Sequence, residues 1–405
     1  MDQHTLATTS FRRILLIKLS AVGDVVHTFP VLNQLRRKYP AAQIDWLVKP
    51  QIAELVRHHP AVNNVILFHD REWRSARTMA RAVTLGVSLL RQLRSTRYDL
   101  VIDMHGQGRT AIAAAATGAA VRIGFDRPRK SVLAATDREL PPKVYDHAWI
   151  GAREGSWLAY THRIPIDTLE MHPVDRYLRV GMLLGFADSK VDFSFAVPAE
   201  ASAQVDLLLA QHGIAPRGPD ARFALLSPGT VWETKQWSAE KFAAVARAFI
   251  DGGLPVVLAG SAADAAACNA VAASVPEARN LCGRTSLAEL AALIARCEVA
   301  ITNDSGPMHM AVALDRPTVT VFGPTDAVWI GPYRRPDSVA TANVACAPCY
   351  LRQLKHCGHG HRCMQSVAAE TVTSLALQLM ANEAQSAGAP ASDAARDTRP
   401  AVGAT

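Results

Sequence analysis

Residues 13–48 read RILLIKLSAVGDVVHTFPVLNQLRRKYPAAQIDWLV, and this stretch decides the fold. The near-continuous apolar run at residues 13–19 predicts a strand that is buried on both faces. A turn at residues 20–23 follows, an amphipathic pattern predicts a helix over about residues 25–38, and residues 43–48 predict a second strand. Strands that alternate with helices indicate a parallel sheet covered by helices.

The same alternation runs through both halves of the chain. In the first half, further strands are predicted at 64–68 and 100–103, with helices at 51–58 and 76–94. The alternation is absent from the sequence between about residues 127 and 175. It resumes with predicted strands at 223–227, 256–259, 279–281, 299–302 and 318–322. The fold class is therefore α/β, with two Rossmann-like, doubly wound domains at 1–197 and 198–383. Residues 384–405 are predicted to be a disordered tail.

Composition excludes some classes of protein and suggests a partner. Hydrophobic residues make up 49% and charged residues 20%, as in soluble globular proteins. No run approaches the roughly 18 apolar residues of a membrane span, and no signal-peptide pattern opens the chain, so a cytoplasmic protein is expected. Residues 1–195 carry 27 Lys and Arg against 18 Asp and Glu, and the remainder carries 16 against 18. The basic first half predicts an anionic partner, with drift in surface composition as the alternative.

The first candidate loop follows the first predicted strand. Open parallel sheets bind ligands beyond the carboxyl ends of their strands, so loops at that edge carry the chemistry. Gly23 allows a tight turn there, and Asp24 lies at the mouth of the next helix. The alternative is that Asp24 only caps this helix. The G-x-G-x-x-G fingerprint of dinucleotide-binding folds is absent from this turn.

A second loop, SPGTVWETKQW at residues 227–237, also lies between a strand and a helix. Gly229 and Thr230 offer backbone amides and a hydroxyl to phosphate oxygens. Lys235 adds a positive charge suited to a leaving diphosphate. An ordinary surface loop with a solvated lysine is the alternative.

A third loop, TNDSGPMH at residues 302–309, opens a helix with Pro307 in its first turn. Free amides at that helix start, together with Ser305 and Gly306, are typical of an anion site. Asp304 is then expected to hold sugar hydroxyls, or to act as a cap only. Together the three loops predict a nucleotide-diphosphate site in the second domain that faces an acid in the first.

Three motifs carry a resemblance to a known family: ILLIKLSAVGDVVHTFPVLNQLRRKYP, PGT…TKQWS and TNDSGPMHMAVALDRPTVTVFGPTD. They resemble the ADP-heptose lipopolysaccharide heptosyltransferases, glycosyltransferase family 9, from about residue 13 to 381. The resemblance implies the GT-B architecture, with a central cleft between the domains. It also implies inverting transfer of heptose from ADP-heptose to the Kdo/heptose inner core of lipopolysaccharide, without a metal ion or cofactor.

The resemblance further implies roles for individual residues. Asp24 matches the general base of the family, and Lys235 matches the lysine that steadies the donor phosphates. The donor-binding positions are Thr230, Asp264, Thr285, Asp304, Ser305, Gly306 and His309. Asp264 departs from the family pattern, which often has Glu in that loop, so the ribose contact stays open.

Basic and polar side chains of the first domain are expected to bind the anionic acceptor. They are Arg71, Arg74, Gln107, Arg109 and Arg127, with Arg77, Arg129 and Lys130 nearby in sequence. The planar fork of arginine suits carboxylates and phosphates. The same surface is expected to meet the cytoplasmic face of the inner membrane as a peripheral protein. Nucleic acid is not an expected partner.

A cysteine cluster and the identity of the substrates stay open. Cys346, Cys349, Cys357 and Cys363, with histidines between them, fit structural zinc, reduced thiols or a redox pair, and no catalytic role is expected for them. A family 9 transferase with another nucleotide sugar is one alternative function, and a non-catalytic nucleotide-sugar or polyanion-binding protein is another. Transfer of the first heptose is not distinguished from transfer of the second.

Overall fold

The structure, a computed structural model, describes residues 3–70, 72, 76–127, 151–166, 168, 171–186, 190–215, 218 and 221–388. Its strands form two six-stranded sheets. The first contains β1 (Arg13–Ile17), β2 (Gln43–Val48), β3 (Asn64–Leu67), β4 (Leu100–Asp103), β5 (Val121–Phe125) and β6 (His162–Ile164). The second contains β7 (Ala224–Ser227), β8 (Val256–Leu258), β9 (Arg279–Asn280), β10 (Val299–Asn303), β11 (Thr318–Phe322) and β12 (Val339–Thr341).

Helices connect these strands. Those of the first half are α1 (Gln3–Thr8), α2 (Val22–Val26), α3 (Phe29–Lys38), α4 (Ala53–Arg57), α5 (Met79–Ser95), α6 (Gly108–Ala116), α7 (Pro173–Leu178) and α8 (Val180–Leu184). Those of the second half are α9 (Ala199–Gln211), α10 (Ala239–Asp251), α11 (Ala265–Ser274), α12 (Leu287–Arg296), α13 (Gly306–Ala313), α14 (Ala327–Ile330), α15 (Arg362–Gln365) and α16 (Ala369–Gly388). Short 3₁₀ turns lie at Ala76–Thr78, Ser156–Ala159, Glu233–Lys235, Ala262–Asp264, Pro336–Ser338 and Leu354–His356. None of the described helices has the length and hydropathy to cross a bilayer.

The two sheets share one topology. Their strand orders are β3-β2-β1-β4-β5-β6 and β12-β11-β10-β7-β8-β9, and neighbouring strands pair in parallel. The chain direction across each sheet reverses beside its first strand, between β1 and β4 and between β7 and β10. Loops that leave these strand ends diverge and open a crevice, which is where doubly wound sheets bind ligands. The predicted α/β class with two doubly wound sheets is confirmed.

The core explains why the strands read as continuous apolar runs. In β1, Ile14 and Leu16 pack into one buried cluster, while Leu15 and Ile17 pack into another on the opposite face. Both faces of the sheet are thus covered, as expected for a parallel sheet. The cluster around Ile14 continues into the second half through residues such as Leu225, so apolar packing links the two sheets.

The structure differs from the sequence prediction in several elements. The helix predicted over residues 25–38 is split into α2 and α3 at His27 and Thr28, because Pro30 starts a new helix at its first turn. β5, β6 and β12 were not predicted, since β5 carries Arg122 near its start and β6 and β12 span only three residues each. Residues 384–388, predicted as the start of a tail, belong to the helix that ends at Gly388. The domain limits stay predictions.

Candidate active site

The turn after β1 presents Asp24 in the first turn of α2. Its Oδ2 atom accepts a hydrogen bond from the Ala21 amide at 3.1 Å, so the side chain does cap its own helix. Its Oδ1 atom points the other way and accepts a 3.1 Å bond from the Tyr177 hydroxyl. The side chain keeps 42% of its surface exposed. Capping therefore occupies one carboxylate oxygen and leaves the other to face the cleft.

Two residues that the sequence prediction missed hold this carboxylate. The Lys18 ammonium lies 3.6 Å from Asp24 Oδ1. It donates to the Tyr177 hydroxyl at 2.6 Å and to the Met104 carbonyl at 3.1 Å. Lys18 interrupts the apolar run of β1, which was a usable signal, whereas nothing near Tyr177 marked it. The three side chains form one connected network, in which Lys18 and Tyr177 are buried and Asp24 is partly exposed.

The electrostatics of this network keep Asp24 ionised. Burial raises the pKa of the Asp24 carboxyl, but the Lys18 ammonium and the Ala21 amide outweigh burial and hold the pKa below its ordinary value. Burial lowers the pKa of Lys18, against the opposing attraction of Asp24. Burial also raises the pKa of Tyr177, which stays a phenol. The result is a carboxylate that is held in place and ionised.

Asp24 opens into a cavity of about 270 Å³ between the two halves of the chain. Its lining from the first half comprises Lys18, Ser20, Asp24, His105, Gln107, Arg153, Pro173, Arg176 and Tyr177, and its lining from the second half comprises Trp329, Ile330 and Tyr350. Burial lowers the pKa of His105 to about 3, so this imidazole is neutral. Lys18, Arg153 and Arg176 therefore leave an excess of positive charge around one carboxylate. Such a cavity favours an anionic ligand.

The predicted acceptor residues are only partly brought together. Gln107 lines the cavity and contacts His105, with 3.2 Å between Oε1 and Nε2. Arg109 lies just outside it, where its guanidinium bonds Asp70 at 3.3 Å. Arg127 is exposed beyond the end of β5 and is not part of this lining. Arg71 and Arg74, like Arg129 and Lys130, lie outside the described residues.

On the opposite wall, Lys235 meets the turn after β10. Its ammonium lies 2.5 Å from Asp304 Oδ2 and 4.4 Å from the centre of the Trp232 ring. Asp304 also accepts a 2.6 Å bond from the Thr325 hydroxyl. Lys235 and Asp304, which come from two separately predicted loops, thus form one buried ion pair.

Asn303 fixes the two loops to each other, and the sequence prediction missed it. Its Oδ1 atom accepts from the Trp237 amide at 3.1 Å, and its Nδ2 atom donates to the Pro228 carbonyl at 2.7 Å. Both ends of the 228–237 loop are therefore bound to the last residue of β10. The signal was present in the sequence, because an amide at the end of a buried strand requires partners.

The start of α13 lies directly against α2. Ser305 precedes the helix in an extended conformation and Pro307 lies in its first turn, so the first amides are free for an anion. A Cβ atom on Gly306 would lie 3.0 Å from Val22 Cβ. A Cβ atom on Gly23 would lie 2.2 Å from the His309 ring. The acid-bearing helix and the predicted donor turn are thus in contact.

A histidine pair joins these helices. His309 Nδ1 lies 2.9 Å from His27 Nε2, so one nitrogen donates to the other. Burial lowers the pKa of His309 to about 4, although the nearby Asp304 and Asp24 carboxylates oppose this. His309 was predicted to bind the donor; the structure places its ring between α2 and α13, against Gly23, and it is not among the residues that line the cavity.

The remaining donor residues follow β7, β8 and β9: Thr230, Asp264 and Thr285, respectively. Asp264 accepts two bonds from Ser261, at 2.8 Å from the amide and 2.7 Å from the hydroxyl. It also lies against Gly229, where a Cβ atom would meet its carboxylate at 2.2 Å. Thr230 and Thr285 are half-buried, and Thr285 immediately precedes the first residues of α12.

The cysteine-rich segment packs against the Lys235 loop, and Tyr350 within it lines the cavity. The His361 ring donates to the Thr234 carbonyl at 2.6 Å, and the Leu354 amide donates to Glu233 at 3.0 Å. The cysteines are free thiols, and burial together with neighbouring thiols raises the pKa of Cys363 to about 11. Within the described part of the chain, no group of three or more His, Cys, Asp or Glu side chains is arranged to hold a metal ion.

Structural comparison identifies the class of this fold. A glycosyltransferase family 9 protein from Veillonella parvula superposes with a TM-score of 0.73 at 22% identity, over 92% of this chain and 98% of that one. E. coli heptosyltransferase WaaC with ADP superposes with a TM-score of 0.67 at 24% identity, over 91% and 99%. At these identities the match concerns the fold, which is the GT-B architecture of glycosyltransferases.

Sequence comparison then fixes the family. The model of glycosyltransferase family 9 (heptosyltransferase) matches residues 87–150 and 142–357. Lipopolysaccharide heptosyltransferase 1 of Pseudomonas aeruginosa is 30% identical over 83% of this chain and 86% of its own length. The chain therefore belongs to glycosyltransferase family 9 and is a glycosyltransferase. The resemblance read from the three motifs is confirmed.

Proposed function

We propose that this chain moves heptose from ADP-heptose to the inner core of a lipopolysaccharide precursor, with inversion and without a metal ion. The observation that carries the proposal is the placement of Asp24 in a cationic cavity, with His309 within electrostatic reach of both Asp24 and the Lys235–Asp304 pair. The relatives support the choice of substrates, since one is named a lipopolysaccharide heptosyltransferase and another is described with ADP.

Asp24 acts as the general base in this proposal. The acceptor hydroxyl enters the cavity and donates its hydrogen bond to the Oδ1 atom, which faces the cleft. As the hydroxyl oxygen attacks the anomeric carbon, its proton becomes acidic and passes to Asp24. General-base assistance is typically worth about 10²–10⁴-fold.

The second wall stabilises the leaving nucleoside diphosphate. The free amides at the start of α13 and the Lys235 ammonium are placed for its phosphate oxygens. An ammonium has three donors, so Lys235 can keep Asp304 as a partner and bind a phosphate as well. The sugar–phosphate bond breaks as the new glycosidic bond forms, so a single displacement inverts the anomeric centre and needs no protein nucleophile.

The cavity selects an anionic acceptor. Arg153 and Arg176 line it beside Lys18, and Asp24 is the single carboxylate among the described lining residues. A sugar that carries a carboxylate or phosphate would relieve this excess of positive charge. An acceptor of this kind belongs to a lipid precursor, so we place the enzyme in the cytoplasm at the inner membrane surface.

The test is a matrix of donors and acceptors with mass detection of the product. ADP-heptose, GDP-mannose and UDP-glucose are each mixed with Kdo-terminated and heptose-terminated lipopolysaccharide in the presence of a chelator. We expect a gain of one heptose with ADP-heptose alone, and the reactive acceptor identifies the transfer step. A product with another sugar, or activity that the chelator abolishes, would contradict the proposal.

A further inference from the structure

One surface of the first half has no role in the site described above. Helix α5 exposes Met79, Val83 and Val87 at 42%, 48% and 41% of their surfaces. These residues recur every fourth position and thus form one stripe along the helix. Leu90 continues the stripe, while Ala82 and Leu93 on an adjacent face are buried and hold the helix against the sheet. The apolar face of α5 is therefore wider than its contact with the core requires.

Helix α6 extends this apolar surface. Val87 and Leu90 of α5 share a groove of about 420 Å³ with Ala116 of α6. Ile112 is 63% exposed and lies one helical turn before Ala116, on the same side of α6. We call the face formed by Met79, Val83, Val87, Leu90, Ile112 and Ala116 the α5 face. A continuous apolar surface of this kind marks an interaction site.

The charges around the α5 face are of one sign. Between Glu72 and Asp99 the sequence has six arginines and no acidic residue. Arg81, Arg91 and Arg94 are exposed on α5, and Arg91 and Arg94 border the groove. Among the described residues, none of these three arginines makes an ion pair, so their charge is available to a partner. An apolar stripe flanked by arginines is the pattern of helices that lie in an anionic membrane surface.

The position of α5 suits a substrate that is anchored in lipid. The helix follows β3, so it begins at the carboxyl edge of the first sheet, the edge that also carries Asp24. The Thr78 hydroxyl donates to the Glu72 carbonyl at 2.6 Å and ties the helix start to that edge. A membrane that contacts the α5 face would lie beside the mouth of the cleft.

We propose that the α5 face is the membrane-docking surface of this enzyme and that its partner is a bilayer containing anionic phospholipid. This inference deepens the proposed function. It depends on that function only in assuming that the enzyme works at a membrane. Apolar side chains enter the acyl boundary, and the arginines bind lipid phosphates.

The experiment is sedimentation of the full chain with vesicles, in the absence of donor and acceptor. We expect binding to vesicles that contain phosphatidylglycerol and little binding to vesicles of phosphatidylcholine alone. Val83→Asp combined with Val87→Asp should weaken binding by about tenfold or more, because two charges would have to enter the acyl boundary. Arg91→Glu combined with Arg94→Glu, at the two arginines that border the groove, should weaken it similarly.

Matched controls lie on other helices. Leu207 and Leu377 are 59% and 53% exposed, so Leu207→Asp combined with Leu377→Asp introduces the same charges elsewhere and should leave binding unchanged. Wild-type protein that ignores anionic vesicles, or α5 variants that bind like wild type, would overturn the proposal. Equal binding to vesicles of phosphatidylcholine alone would show that the docking surface does not require anionic phospholipid. Conversion of an oligomer to a monomer by the Val83 and Val87 variant, with vesicle binding intact, would identify a face between copies of the chain instead.

Transfer to a water-soluble acceptor separates this proposal from the previous one. All α5 variants should retain it, because none of these residues lines the cavity. Loss of vesicle binding with intact transfer supports docking, whereas absent transfer in wild type would contradict the proposed function and leave the vesicle result standing.

Discussion

The two sheets have the same strand order, but the turns at their switch points are built from different chemical groups. The turn after β1 offers a carboxylate, Asp24, held by the side chains of Lys18 and Tyr177. The turn after β10 offers backbone amides at the start of α13, beside an ammonium that is paired with Asp304. A carboxylate held in place suits proton transfer, while amides and an ammonium suit a diphosphate. In the proposed mechanism, the same topology therefore supplies the base in the first domain and the diphosphate site in the second.

Removal of the carboxylate from the first turn should have the largest effect. Asp24→Asn keeps an oxygen for the Ala21 amide but cannot take a proton, so kcat should fall by about 10²–10⁴-fold. Affinity for ADP, measured by calorimetry, should be unchanged, because the proposed diphosphate site is at Lys235 and the start of α13. Turnover near the wild-type rate would remove Asp24 from its role.

Removal of the ammonium from the second turn should act on the donor. Lys235→Ala should lower kcat/KM by about 10²–10³-fold and weaken ADP binding, because one phosphate partner is lost. Lys241→Ala is the matched control, since Lys241 bonds the carbonyl of Val367 outside the cleft. An ADP affinity that is unchanged in Lys235→Ala would contradict the proposal that Lys235 binds the donor phosphates.

Separation of the two turns should have an intermediate effect. Gly23→Ala introduces a methyl group 2.2 Å from the His309 ring, so α2 and α13 must move apart. A shift of this size should reduce kcat by about tenfold or more, with ADP affinity retained. Gly358→Ala serves as the control, since its Cβ atom would meet open space. Unchanged kcat in Gly23→Ala would mean that contact between the helices is not needed for catalysis.

Loss of Lys18 should change the pH dependence of the first turn. The ammonium lowers the pKa of Asp24, which is 3.8 in the absence of neighbours, while burial raises it. Activity requires the ionised form and is lost as the pH falls through this pKa. Lys18→Met removes the lowering influence, so the acid limb of the kcat/KM profile should move to higher pH.

Lys49→Met is the control for that profile, because Lys49 pairs with Asp70, at 2.6 Å, instead of Asp24. It should leave the acid limb in place. An acid limb that is the same in Lys18→Met and wild type would contradict the assignment of the limb to Asp24.

Much of the fold could be predicted because strand and helix periods are local. Gln43–Val48, Leu100–Asp103 and Thr318–Phe322 were predicted to the residue. Edge strands such as β6 were missed, since three residues carry too little pattern. Family resemblance located Asp24 and Lys235. It could not show that Lys235 pairs with Asp304 or that Tyr177 bonds Asp24, because these contacts join residues 69 and 153 positions apart.

The most direct test of the divided cleft is a crystal structure with a donor analogue that cannot be transferred. We expect the diphosphate at the start of α13 and at Lys235, with the anomeric carbon turned toward the cavity. The space between that carbon and Asp24 Oδ1 should admit one hydroxyl oxygen at about 3 Å from each. A sugar directed away from Asp24, or a diphosphate bound on the first sheet, would contradict the account.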